Sequence, residues 1–226
     1  KDGLADIPDQ VDDYWPWISR NRQVGEGKYS WTLQTFLRMR AAGLPCQLVR
    51  DFPAAGIVVS HRDFLPVFLR PRLNVFLVCV KPDRKEHTWS HFYVVQNTAD
   101  PVFASCPHNQ IATLPFWPQP SLMQRDRTRG ARCESLAYFG RLGNLANELR
   151  SETWEAEMAR AGMRWSVAPF ERWHDYRDID VTVAVRSFDA SPRLTDPIFG
   201  ADTKPPSKLI NSWLAGVPAI VGTESS

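Results

Sequence analysis

The chain has 226 residues, 43% hydrophobic and 23% charged, with 27 Lys and Arg against 25 Asp and Glu for a formal net charge of +2. That length suits one large or two modest globular domains, with two the expectation; no apolar run approaches the ~20 residues a membrane span needs, and the charge is too small to make nucleic acid the main partner. Cys46, Cys79, Cys106 and Cys133 form no C-x-x-C pair beside clustered histidines, which sets aside a zinc site and a disulfide scaffold and points to a reduced, cytoplasmic setting.

Residues 1–22 are acidic and aromatic without a clean period, and 11–19 read as a strand or a loop. Gly25-Glu26-Gly27 opens a predicted helix over about 28–42, with Tyr29, Leu33, Phe36, Leu37 and Ala41 on one face and Gly43 as its stop. Gly25 and Gly27 would let backbone amides approach a ligand, or simply make a tight turn. Apolar runs at 46–49 and 56–60 read as strands, then His61-Arg62-Asp63 leads into a brief helical segment. Residues 73–80 form the most apolar run, as expected of a strand buried on both faces of a parallel sheet. Runs at 91–96 and 111–114 follow in the same style, so residues 1–116 read as a Rossmann-like α/β domain.

The proline-rich stretch from Pro115 and the arginines at 125, 127, 129 and 132 break the pattern, and residues 117–133 are expected to be a linker. A second α/β domain, 134–226, then begins. Its predicted elements are a strand at 135–139, a turn at 140–143, a long helix at 144–161, and strands at 164–168 and 179–185. The final stretch reads as a helix capped by Asp202 or Thr203 and stopped by Gly216, then a strand at 217–221. Ile210, Trp213, Leu214 and Val217 fall on one stripe, expected to face the core. The chain opens on lysine and closes directly after that strand, so incomplete termini are expected.

Ligands of open α/β sheets bind beyond the carboxyl ends of the strands. In the second domain Arg141, Arg186 and Lys208 are expected there, together with the start of the last helix, a combination of cations and free amides suited to a diphosphate. In the first domain the polar candidates are His61, Asp63, Asp83, His91, Gln96 and Asn97; a histidine or carboxylate among them could serve as a base, or each could simply be a satisfied structural group. No G-x-S-x-G, P-loop or H-E-x-x-H is present, which disfavours serine hydrolase, nucleotide kinase and zincin chemistry.

Tyr138-Phe139-Gly140-Arg141-Leu142, and Lys208-Leu209-Ile210-Asn211 followed by Ala215-Gly216-Val217-Pro218, resemble the donor domain of the GT-B glycosyltransferases, in particular bacterial retaining enzymes acting on nucleotide sugars. The Gly25 to Gly27 turn is similar to that family's amino-terminal glycine-rich loop. The resemblance implies two Rossmann-like domains facing across a cleft, the first holding a glycan or other hydroxyl acceptor and the second a nucleotide diphosphate sugar as co-substrate, with no further cofactor and no obligatory metal. It implies diphosphate contacts from Arg141, Arg186 and Lys208, ribose or donor contacts from Asn211, Ser207 and Thr203, and His91 as the first-domain residue at the transferred sugar or acceptor.

Thr203 and Asn211 stand where the family often has two glutamates, and Asn147 where it usually has a lysine. The leading expectation is therefore a glycosyltransferase, with a non-catalytic GT-B-like binding module as the alternative. A nucleotide-sugar epimerase is a third reading.

Overall fold

The computed structural model describes residues 6–21, 26–186 and 205–222. The chain divides between Trp117 and Pro118 into two units, the second completed by residues from Pro206 onward. Each unit carries its own four-stranded parallel sheet, so the α/β class read from the alternating apolar runs holds.

In the first unit the aromatic stretch near the start is helix α1, Tyr14–Arg20, rather than a strand or loop. Tyr14, Trp15, Trp17 and Ile18 are its buried side, a spacing that fits a helical face. Pro16 is tolerated because it lies in the first turn, where an N–H has no intrahelical acceptor. Helix α2, Glu26–Ala41, buries Trp31, Leu33, Gln34 and Leu37. The Trp17 ring meets Tyr29 edge-on at 5.7 Å and binds the two helices together.

Strands β1 (Gly56–His61), β2 (Val75–Val80), β3 (Phe92–Val95) and β4 (Ile111–Thr113) lie side by side in sequence order, all parallel. A four-residue helix α3, Val102–Ser105, precedes β4. Val58, Leu77, Cys79, Tyr93 and Val95 form the core on one face with Leu65 and Val102. The opposite face is open: Ile57 is 75% exposed, and Phe76, its register partner, 45%. The expectation that β2 is buried on both faces is therefore corrected, because the segments joining β1, β2 and β3 hold only a single 3-10 turn at Arg62–Phe64 and no α-helix to cover the second face. Residues 46–49 are not a strand either; β1 pairs only with β2, and Leu48 and Val49 are exposed.

In the second unit β5 (Ser135–Phe139), helix α4 (Glu152–Arg160), β6 (Arg164–Ala168), β7 (Val181–Ala184), helix α5 (Ser207–Leu214) and β8 (Ala219–Val221) build a parallel sheet of order β6-β5-β7-β8. The chain leaves β5 in one direction and returns to its other side at β7, which creates a switch point between these strands. All five residues of β5 are buried. Leu136 and Tyr138 pack with Leu145, Leu149 and Val183, whereas Ala137 and Phe139 pack with Tyr176, Ala215 and Val217. This two-sided burial is what a central parallel strand requires.

Helix α4 starts later than the expected 144–161, at Glu152, because the Ser151 hydroxyl accepts the Trp154 amide as an N-cap. The stretch expected to be a linker is laid against the second unit. Met123 exchanges backbone hydrogen bonds with His174 and Tyr176, and the Arg125 and Asp126 amides donate to Ala215 and Arg177 carbonyls.

Candidate functional site

The switch point is built from three segments of the second unit. Gly140 follows β5, Arg186 comes two residues after β7, and Lys208 is the second residue of α5. A Cβ on Gly140 would stand 2.7 Å from the Lys208 Cε and 2.7 Å from the Tyr138 hydroxyl. Glycine is thus what lets the lysine stem cross the end of β5. The Lys208 ammonium lies 5.4 Å from the Tyr138 ring centroid, and the Tyr138 hydroxyl donates to the Arg141 carbonyl at 3.2 Å.

Burial lowers the Lys208 pKa to about 8, and the Arg186 cation pushes in the same direction. Among the described residues no acid acts on Lys208; its one charged neighbour is another cation. Burial likewise raises Tyr138 to about 12, so its hydroxyl stays protonated. Pro206 provides no side-chain cap for α5. An anion is the natural counterpart of this arrangement, since it would relieve the repulsion between Lys208 and Arg186 and accept from the first amides of an eight-residue helix.

Helix α5 presents Lys208 to the sheet by turning Trp213 and Leu214 of the expected stripe outward, while Val217 is buried as expected. Asn211, Ser212 and Ala215 are its buried side, while Trp213 is 65% exposed and Leu214 46%. Two hydroxyls decide the rotation: Ser212 Oγ is 2.6 Å from Thr182 Oγ1 on β7, and it donates to the Lys208 carbonyl at 2.7 Å. Beyond the helix, Gly216 has φ +72 and carries the left-handed turn into β8.

The sequence-predicted residues divide accordingly. Lys208 and Arg186 lie at the switch point, with Ser207 at the helix start and Arg141 exposed just beyond β5. Asn211 is buried, and its side-chain oxygen accepts the Gln119 amide at 3.0 Å, which holds the strap after Pro118. Thr203 and Gly25 lie outside the described residues. Gly27 is within the first turn of α2, with nothing within 4 Å of where its Cβ would stand, so no close approach demands glycine there.

His91 is at the opposite end of the first sheet from the one expected. It immediately precedes β3, stacks on Phe76 at 5.2 Å, and its Nδ1 accepts the Leu77 amide at 3.0 Å. The carboxyl end of that sheet instead carries His61, Lys81 and Gln96, each only 3% exposed and each ending or following a different strand. Lys81 Nζ pairs with Asp100 at 2.8 Å. Asp63 receives Arg84 through two hydrogen bonds of 2.9 and 3.2 Å. His61 Nδ1 accepts the Asp63 amide at 3.0 Å, and burial lowers its pKa to about 4, so it is neutral at pH 7 with its proton on Nε2. Lys81, Arg84 and Asp100 were not singled out from the sequence. The available signal was position: Lys81 is the first charge after the all-apolar β2.

At the amino end of the second sheet the acids are gathered and neutralised. Asp180 accepts from Arg125, Arg129, and the Glu134 and Ser135 amides, which holds its carboxyl far below the usual range. Hydrogen bonds from Arg177 likewise hold Asp175 at about 2. An open cavity of about 520 Å³ lies beside these pairs. Among the described residues no group of three His, Cys, Asp or Glu is placed to hold a metal, and no helix is long and apolar enough to cross a membrane. The chain matches no known family and no curated protein.

Proposed function

We propose that the protein is a glycosyltransferase that moves a sugar from a nucleotide diphosphate sugar to a hydroxyl acceptor, on the GT-B plan with the donor in the second unit. The observation that supports this is Lys208 lying across Gly140 at the β5/β7 switch point, half-buried beside Arg186 with no acid acting on it among the described residues. In such a reaction the diphosphate departs with increasing negative charge. Lys208, Arg186 and the α5 amides would neutralise it, while the acceptor hydroxyl attacks the anomeric carbon and its proton passes to a base or solvent.

Calorimetry with uridine, guanosine, thymidine, adenosine and cytidine diphosphates tests the reading. At least one should bind the parent and lose affinity in Lys208→Ala; no binding by any of them, or equal affinity in both proteins, overturns it. The position of Asn211 favours a second reading, a non-catalytic module, because its oxygen is committed to Gln119 and Asn211 supplies no carboxylate. Binding of a nucleotide diphosphate sugar without transfer or hydrolysis, for every sugar assayed, would select that reading.

A further inference from the structure

The carboxyl end of β1 holds an aromatic and polar cluster that the diphosphate site does not use. Phe64 is 42% exposed although its ring is held in place: Tyr29 meets it at 5.7 Å and 71°, His61 at 6.3 Å and 76°, and the Lys28 ammonium stands 5.0 Å from its centroid. A ring already fixed by neighbours loses little freedom when a ligand stacks on it. Beside it lies the two-bond Asp63–Arg84 pair, with side chains 34% and 41% exposed.

Charge decides what kind of ligand fits. The groups acting on His61 are two acids, Asp63 and Asp83, and two cations, Lys28 and Arg84. Arg62 is directed to the carbonyls of Lys85 and Leu65, and Lys81 is paired with Asp100. The cluster is balanced, so it offers donors and acceptors without favouring an anion.

We infer that this cluster is a binding subsite for a neutral pyranose, whose apolar C–H face stacks on Phe64 while its hydroxyls meet the Asp63–Arg84 pair and His61. A carboxylate and a guanidinium side by side accept from and donate to vicinal hydroxyls. His61, with Nδ1 already accepting, acts as a donor through Nε2–H and not as a base. The subsite requires nothing from the second unit and is thus separable from the glycosyltransferase reading.

Saturation-transfer NMR on the full chain with methyl β-D-glucopyranoside, methyl β-D-galactopyranoside, methyl α-D-mannopyranoside and the anionic methyl β-D-glucuronide tests it. At least one neutral glycoside should show transfer at millimolar concentration, strongest at its C–H face. Affinity should fall at least tenfold in Phe64→Ala and recover in Phe64→Tyr; Phe64 is half exposed, so both variants should fold. Arg84→Met should weaken binding about threefold or more. Lys208→Ala should leave it unchanged, which separates a failure here from a failure of the diphosphate site. Binding should stay level from pH 6 to 8.5. No transfer to any neutral glycoside, equal affinity in Phe64→Ala, or preference for the glucuronide would overturn the assignment.

Discussion

Among the described residues the two sheets end in different electrostatic states. At the carboxyl end of the first, each of the cations Lys81 and Arg84 has its own carboxylate, Asp100 and Asp63. In the second, the ion pairs cluster at the amino end around Asp175 and Asp180, and Lys208 at the carboxyl end faces another cation. The difference shows that net charge, +2 for the whole chain, says little about where an anion can bind. What matters is the partition of acids between the two ends of a parallel sheet. On the readings proposed above, the first unit would take a neutral polar ligand and the second an anionic one.

Removing the acidic sink should have the largest effect. Asp180 is 3% exposed and binds two arginines and two strand-leading amides, so Asp180→Ala leaves buried donors without an acceptor. Breaking a buried pair from one side costs about 3 kcal/mol. Hydrogen exchange in peptides covering β5 and β7 should accelerate by about two orders of magnitude, with β1 and β2 unaffected. Equal acceleration in the two sheets would show that the charge partition is not local.

The first unit should instead reveal itself in its response to acid. His61 has a folded pKa of about 4, below its ordinary 6.5. The unfolded chain therefore binds the proton more readily between these values, and stability falls as pH drops from 6.5 towards 4. The loss is on the order of 2–3 kcal/mol at the low end. Protection of β1 and β2 amides should follow that curve in the parent, and His61→Gln should flatten it. Asp175, held at about 2, adds stability to the second unit that is present above pH ~4 and disappears as pH falls towards 2, a separate and lower window.

At the carboxyl end of the second unit the pH response should appear in binding. Lys208→Met should weaken nucleoside diphosphate affinity about 10–100-fold, or about 1.4–2.8 kcal/mol. With its pKa at about 8, Lys208 is mostly charged at pH 7 and mostly neutral at pH 9. Affinity in the parent should decline across that interval. A bound dianion favours the protonated amine, so at pH 8 the complex should take up a fraction of a proton, measurable by calorimetry in buffers of different ionisation enthalpy. Proton release on binding would contradict a cationic contact.

Much of the fold was legible because apolar runs and turn residues are local signals. The strands at 56–61, 75–80, 135–139 and 164–168 match the expected runs closely. The positions of Lys208 and Arg186, though not their role, were legible for the same reason, since strand ends can be read from sequence. His91 was misplaced because it touches the start of a strand, and a one-dimensional run of apolar residues does not say which end carries function. The role of Asn211 depends on Gln119, 92 positions away in sequence, and nothing local announces that contact. Gly140 matters only through the Lys208 stem that crosses it.

Helix α5 gives the finest test, since Trp213 and Leu214 of its expected apolar stripe are exposed while Asn211 and Ser212 are buried. Hydrophobic periodicity would bury Trp213 and Leu214 and turn Lys208 outward, which would leave the carboxyl end of β5 without its cation. The observed rotation buries Ser212 instead, at 0% exposure, because its hydroxyl meets Thr182 on β7. Ser212→Ala should therefore cost about 1 kcal/mol, the usual net worth of a lost hydrogen bond, and weaken diphosphate binding modestly as Lys208 loses its register. Trp213→Gln should change stability by no more than about 0.5 kcal/mol, as for an ordinary surface substitution, and leave diphosphate affinity unchanged. A large loss on replacing Trp213 would mean that the apolar stripe, and not the Ser212–Thr182 contact, sets the rotation that brings Lys208 to the switch point.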